Sequence, residues 1–312
     1  MKRLAVSVMC AIVALVAVGC DILTPTPQIV VAGHANRKIY ILDKESKQIV
    51  WSFDLEKDEQ CNSIHLVDGD KNLLFSTQSG AKLVAIESKE VLWSYNVEEA
   101  GYKNAEAHHI YPLPEGGYAL FVSGKPAYII EFSKHRTPVK VVEFDAGSNN
   151  KHAQFRQSTM SKDGNWLLPL FPKKAVVRMS RDGEVLDTYT IGGTAFSVRE
   201  AKDGTLLMGF GDSHKFLVYD PAAKKIAREI TEFAGDPVTL LYTAQFEQIG
   251  DDQFMVANWS GHNKKKLDKP APQIVEFNGA GEITWMWDNE AADLGKIAAF
   301  VYSKKALVKV GE

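Results

Sequence analysis

Six times along this chain a pair of short alternating strands returns, and nothing else in the sequence restricts the fold so tightly. The first pair is Lys38-Ile-Tyr-Ile-Leu-Asp43 and Gln48-Ile-Val-Trp-Ser-Phe-Asp54, joined by a polar turn. Apolar and polar residues alternate in both, the pattern of half-buried strands. The pairs open at residues 38, 82, 127, 175, 215 and 273, in steps of 44, 45, 48, 40 and 58. A period near 45 residues that holds four short strands marks a β-propeller with one repeat per blade. The expected fold is therefore all-β: a single six-bladed propeller of four-stranded antiparallel blades.

Turn chemistry recurs in phase with the pairs. Asp68-Gly-Asp-Lys71, Pro114-Glu-Gly-Gly117, Lys162-Asp-Gly164, Lys202-Asp-Gly204 and Gly250-Asp-Asp252 each close an inner hairpin, and Gly and Asp are residues that such turns favour. Agreement between two independent signals is what a sequence specifying one fold displays. Blade one starts with Gln28-Ile-Val-Val-Ala32, which aligns with a second strand. Its inner strand is expected from the C-terminus, from Ile297–Tyr302 or from Ala306–Val310, with any surplus strand left to a partial seventh blade. Closure of this kind removes exposed sheet edges.

The N-terminus carries an address. Lys2 and Arg3 precede an apolar run from Leu4 to Val18 that is short for a membrane span. It ends in Ala17-Val-Gly-Cys20, which resembles the bacterial lipobox. That resemblance implies a lipoprotein signal peptide at residues 1–19 and acylation of Cys20, and an ordinary signal peptide is the alternative. Residues 20–28, with Pro25 and Pro27, read as a short lipidated tether, and residues 29–312 as the propeller. The expected location is the bacterial cell envelope, on the periplasmic face of either membrane or on the cell surface. Asp21 resembles an inner-membrane retention signal that does not hold in every lineage. Of the three cysteines, Cys10 leaves with the signal and Cys20 is acylated, so Cys61 is left without a disulfide partner. Loss of residues 1–19 removes Lys2 and Arg3 and no acid, so the formal charge falls by two from −3 to −5. A mildly acidic chain argues against nucleic acid as a partner, which needs a clustered basic face.

Leu42–Phe53, with Trp51, resembles the repeats of quinoprotein-like (PQQ-type) propellers. So do Glu87–Tyr95, with Trp93, and Phe277–Trp287, with Trp285. The other blades carry Val141, Asp187 and Arg228 at that register. The tryptophans are expected to pack blade on blade. Quinoprotein dehydrogenases have eight blades, adjacent cysteines and a calcium site. This chain shows six repeats, no adjacent cysteines and no acidic cluster of metal-ligand spacing, so no cofactor is expected. A second similarity is to bacterial arylsulfotransferases, carried by Ala107-His-His-Ile-Tyr-Pro-Leu-Pro-Glu-Gly-Gly117 and by Gln273–Trp285. Those enzymes are longer, with an N-terminal domain that has no counterpart here.

Inner strands of a propeller begin at its central channel. Alignment of the inner turns places Asn62, Ser63, His108, His109, Arg156, Ser197 and Gln245 at matching positions, with Gln154 and Arg199 close by. Such a ring suits an anion or a sugar: an arginine offers a planar fork for carboxylate or sulfate, and a histidine serves as base or nucleophile near neutral pH. Channels are also wet and polar in any propeller. His34, His135 and His152 read as loop or surface residues. The insertion from Asn258 to Pro272 contains Lys264-Lys-Lys266. It reads as a solvated basic loop or as a lid that brings Trp259 and His262 to the ligand.

Three readings of function stand at this point. The first is a non-catalytic envelope binding module for a small polar or anionic ligand, a glycan or an envelope protein. The second is a transfer enzyme of arylsulfotransferase type that uses His108 or His109 with Arg156. The third is a protein–protein scaffold, as in the outer-membrane assembly lipoproteins that share this repeat type.

Overall fold

Six four-stranded antiparallel sheets stand side by side, and each holds consecutive strands of the chain except the first. The computed structural model describes residues 26–34, 37–57, 59–235, 238–260, 271–287 and 296–309. The signal peptide, Cys20 and His262 lie outside these. The six-bladed all-β architecture is as the repeat demands, and the third strands run Lys38–Asp43, Gly80–Ala85, Ala127–Phe132, Ala175–Met179, Phe216–Asp220 and Ile274–Asn278. The inner strands of blades two to six are Cys61–Val67, Glu106–Pro112, Thr159–Met160, Ser197–Glu200 and Tyr242–Gln248.

Blade one takes its inner strand from Lys296–Ser303, which pairs antiparallel with Gln28–His34. This resolves the choice between the two C-terminal segments. The later one docks without becoming a strand: Gln28 Oε1 accepts from the Leu307 and Val308 amides, and its Nε2 donates to the Val308 carbonyl. The ends of the chain are thus joined twice, and the inner edge of blade one is paired.

The core is divided into six apolar clusters, each seated mainly between two neighbouring blades. Blade-to-blade packing of the tryptophans follows. Trp51 Nε1 donates to the Ile86 carbonyl of blade two, and Trp285 Nε1 to the Lys44 carbonyl of blade one, both at 2.9 Å. Trp93 lies against Tyr118 and Phe132 of blade three. Two of the three blades without a tryptophan have a polar link at the same register, where Asp187 pairs with Lys224 at 3.1 Å and Arg228 donates to the Gly279 carbonyl at 2.8 Å; the third has the exposed Val141. Cys61 is fully buried in the cluster between blades one and two, where burial pushes its thiol pKa up and keeps it inert.

Blades approach most closely near the channel. A Cβ on Gly209 would stand 1.8 Å from the Ala244 carbonyl oxygen, so only glycine fits there. The inner strands of blades two and three each carry an irregularity, between Cys61 and Ser63 and between Ala107 and His109. An extra residue in one strand rotates the side chains that follow it. The bulged residues, Asn62 and His108, are those that reach the channel mouth.

Candidate functional site

The channel is interrupted at mid-depth. Blade four has only a two-residue inner strand because the chain before it leaves its own sheet and bonds the next blade. Gln157 N donates to the Phe196 carbonyl, and Val198 N donates to the Gln157 carbonyl. This carries the fully buried Gln157 side chain across the channel. Its Nε2 donates to the carbonyls of Asn62 and Ala298, and its Oε1 accepts from Arg199 Nη2 at 3.1 Å. Blades one, two and five are tied through one amide. Above and below it lie two separate cavities: a leading mouth, where the inner strands begin, and a trailing mouth, where they end.

The leading mouth encloses about 250 Å³ and draws on all six blades. One wall is basic: His108, His152 and Arg156. A second part of the lining is aromatic: Phe196, Tyr242 and Trp259. Gln60, Asn62 and Gln78 supply amides, and Ala298 completes the ring. Tyr242 meets Trp259 edge to face at 4.9 Å and Phe196 at 5.5 Å, which braces the aromatic wall. Arg156 is anchored by Nη1 to the Phe155 carbonyl and Nη2 to the His152 carbonyl, both at 2.7 Å, and its guanidinium lies over Phe171. Two of its five N–H donors are spent this way. Burial holds its pKa below the ordinary arginine value, and the nearby Tyr242 and Glu106 partly restore it. Burial likewise pushes the Tyr242 hydroxyl up to about 12, so it is a neutral donor.

Glu106 organises the basic wall. Its carboxylate lies 3.1 Å from His152 Nδ1, 3.6 Å from His108 Nε2 and 3.5 Å from Lys151 Nζ. His108 is almost wholly buried, with its ring against His152 and Phe155. Two imidazoles, a lysine and an arginine around one carboxylate leave this mouth rich in hydrogen-bond donors. Among the described residues, no cluster of three or more His, Cys, Asp or Glu side chains can hold a metal ion.

The ring expected from the sequence is thus partly brought together. Asn62, His108, Arg156 and Trp259 line the leading mouth. Arg199 lines the trailing mouth, held by Glu247 at 2.9 Å. Ser63 faces between blades, bonding Ser76 Oγ and the Ile110 amide. Ser197 Oγ is spent on the Ala244 carbonyl. Gln154 is spent on Gly124 and Ser148, and Gln245 on Glu247 and the Phe300 backbone. His109 is fully buried beside His65, at 5.2 Å between ring centroids, and both its nitrogens lack a partner. It does not share a cavity with Arg156. His152 is an exposed loop residue, as expected, but its place at the rim of this mouth was not foreseen. Sequence reasoning also missed Gln60, Gln78, Glu106, Gln157, Phe196 and Tyr242. The one signal available was the absence of apolar alternation between residues 150 and 158, which marks a stretch that is not an ordinary inner strand.

Fold and site together define a closed six-bladed propeller whose channel is plugged and whose leading mouth is a small donor-rich pocket. The chain belongs to the Mal s 1 allergenic protein-like family, whose sequence profile matches residues 35–265. No curated protein sequence matches it. Among solved structures, it is similar to a protein of unknown function from Bacteroides caccae, with 28% identity and a TM-score of 0.81 over 90% of this chain and 100% of that one. A streptogramin B lyase structure shares 13% identity, with a TM-score of 0.58 over 86% of this chain and 84% of that one. A catalytically inactive histidine-to-alanine form of virginiamycin B lyase from Staphylococcus aureus, in complex with quinupristin, shares 10% identity, with a TM-score of 0.55 over 89% and 97%. These last two establish likeness of fold alone.

Proposed function

We propose that this protein is an exported, lipid-anchored binding module of the cell envelope that holds a small, ring-bearing anion at its leading mouth. One observation carries the reading: basic side chains and aromatic rings from different blades converge on the same pocket. The unspent N–H donors of Arg156 suit a carboxylate or sulfate. The braced Tyr242–Trp259 pair offers a flat apolar surface to a ring. About 250 Å³ lies just below the roughly 300–1,000 Å³ typical of ligand pockets, so the ligand is of monosaccharide or substituted-benzene size. The likeness to quinoprotein-type repeats is, in this reading, one of blade packing. Anchoring rests on the Ala17-Val-Gly-Cys20 sequence and is tested by Cys20→Ser, which should release the protein from the membrane fraction.

The binding test is a thermal-shift titration of the purified protein with phenyl sulfate, benzoate and glucuronate. A ligand at about 100 times its Kd adds about 2.7 kcal/mol of stability and raises Tm. The shift should vanish in Arg156→Ala, whose own Tm gives the baseline. A shift that survives Arg156→Ala, or none with any of the three, overturns the reading and favours a protein partner instead.

A second reading is catalytic. Glu106 and His152, at 3.1 Å, form the carboxylate–imidazole pair from which general bases are built, and His108 stands beside them. A lyase of similar fold is named as inactive in a histidine-to-alanine form. If this reading holds, turnover of a bound anion is abolished in His152→Ala or His108→Ala while binding persists. If binding is the whole function, no variant changes the ligand chemically.

A further inference from the structure

The trailing mouth is a second cavity, of about 470 Å³, with walls from blades two to six. Its hydrogen-bonding character is the reverse of the leading mouth. Most of the cationic donors there are spent, three of the five N–H groups of Arg199 and two of the three of Lys162. Arg199 gives Nε to Glu247, Nη1 to the Val198 carbonyl and Nη2 to Gln157. Lys162 gives Nζ to the Ala201 and Lys202 carbonyls at 2.8 and 2.7 Å. Acceptors remain. Glu247 receives Arg199 and Gln245 on Oε1, and no described residue donates to its Oε2. Glu200 receives the Lys162 amide on one oxygen only. His65 Nε2 is buried in the wall without a partner, and its other ring nitrogen is engaged with the Ile110 backbone.

Charge narrows the ligand. Arg199 and Lys162 balance Glu200 and Glu247, and burial keeps His65 neutral down to about pH 3. An anion would find few cationic donors left and would face the carboxylates of Glu200 and Glu247. A cation would have to displace Arg199 from Glu247. A molecule rich in hydroxyl groups supplies uncharged donors to the open acceptors and meets the hydroxyls of Tyr111 and Thr159 in the same wall. Tyr111, half-buried in the same wall, adds an aromatic surface, and about 470 Å³ falls within the range of roughly 300–1,000 Å³ typical of small-molecule sites. We infer that the trailing mouth is a second, separate ligand site, for a neutral saccharide of one or two rings whose hydroxyls donate to Glu200 and Glu247. This site does not depend on the reading of the leading mouth.

Isothermal titration of the full-length protein with maltose, cellobiose and lactose tests the inference. At least one should bind saturably. Its affinity should fall about tenfold or more in Glu200→Ala, the loss expected for a hydrogen bond to a charged group. It should stay within about twofold in Arg156→Ala, at the other mouth. Glu200 is half-exposed, so the variant is expected to fold, and its melting curve checks this. Glu200→Gln, which keeps an acceptor, should lie between wild type and Glu200→Ala. No binding by any of the three sugars overturns the inference. So does binding that survives Glu200→Ala, or that phenyl sulfate or Arg156→Ala abolishes, because the sugar would then sit at the leading mouth.

Discussion

The two ends of the channel are built from the same six-fold repeat and offer opposite chemistry. At the leading mouth Arg156, His108, His152 and Lys151 surround a single carboxylate, Glu106. At the trailing mouth the two cations are balanced by two carboxylates and most of their donors are used within the wall. The difference does not come from the number or order of the strands, which every blade shares. It comes from what enters the channel between them. Bulges in blades two and three project Asn62 and His108 into one end. The short 3-10 turn at Lys151–Ala153, ahead of blade four's truncated inner strand, delivers His152 and Arg156 there. Gln157 then seals that end from the other. A repeat fold thus acquires two distinct sites by breaking its own regularity in a few inner strands.

The sharpest way to break this comparison is to remove the seal. Gln157→Leu keeps the volume and deletes the amide. It leaves the Asn62 and Ala298 carbonyls and one arm of Arg199 without partners in a fully buried place. At about 1–3 kcal/mol for each of these three groups, the loss should be about 3 kcal/mol or more, read from the urea midpoint at unchanged m-value. Affinity at both mouths should fall together. A loss below about 1 kcal/mol would mean that water replaces the amide and that the channel is one continuous wet space.

Sequence alone carried the blades and not the mouths, and the reason is physical. Alternation, turn residues and the Trp51, Trp93 and Trp285 register are local properties, repeated six times, so the noise in one blade is corrected by the others. The mouths depend on departures from the repeat. A bulge adds one residue and changes which neighbour faces the channel, so Asn62 and Ser63 read alike in the sequence yet part company in the fold: one lines a pocket and the other bonds Ser76 between blades. Arg199, read as close to the ring that holds Arg156, lines the other mouth, beyond Gln157. His152, Gln78 and Phe196 sit in connections whose paths no periodicity predicts.

Acid should act unevenly on the two halves. His65 and His109, toward the trailing side, are pushed below the ordinary histidine pKa by burial, His65 to about 3, with Arg199 opposing their protonation as well. The unfolded chain takes up these protons near pH 6.5, and the folded one does so only at lower pH. The contribution of neutral His65 and His109 is therefore complete above about pH 6.5 and is lost as pH falls below it. Each fully buried histidine can lose up to about 1.4 kcal/mol per pH unit. Because His65 is only half-buried, a loss of about 1–2 kcal/mol between pH 6.5 and 5 is expected from chemical denaturation. His109→Phe should flatten that slope. If the slope persists unchanged, the acid-sensitive groups lie elsewhere, and the contrast between the halves loses its electrostatic part.

The smallest effect concerns the sign of the charge at the leading mouth. Glu106 both orients His152 and cancels part of the positive field. Glu106→Gln separates these roles, since the amide oxygen still accepts from an imidazole N–H while the negative charge is gone. An anion should then bind more tightly, by about 0.5–1 kcal/mol or roughly two- to fivefold, because the pair is only partly shielded from solvent. The gain should shrink as salt is raised from 0.01 to 0.15 M, where the Debye length falls from about 30 to about 8 Å. Phenyl sulfate titrations at both salt concentrations measure it. Weaker binding in Glu106→Gln at low salt would show instead that the carboxylate's orientation of His152 outweighs its charge, and the donor-rich character of this mouth would then reside in geometry rather than in net field.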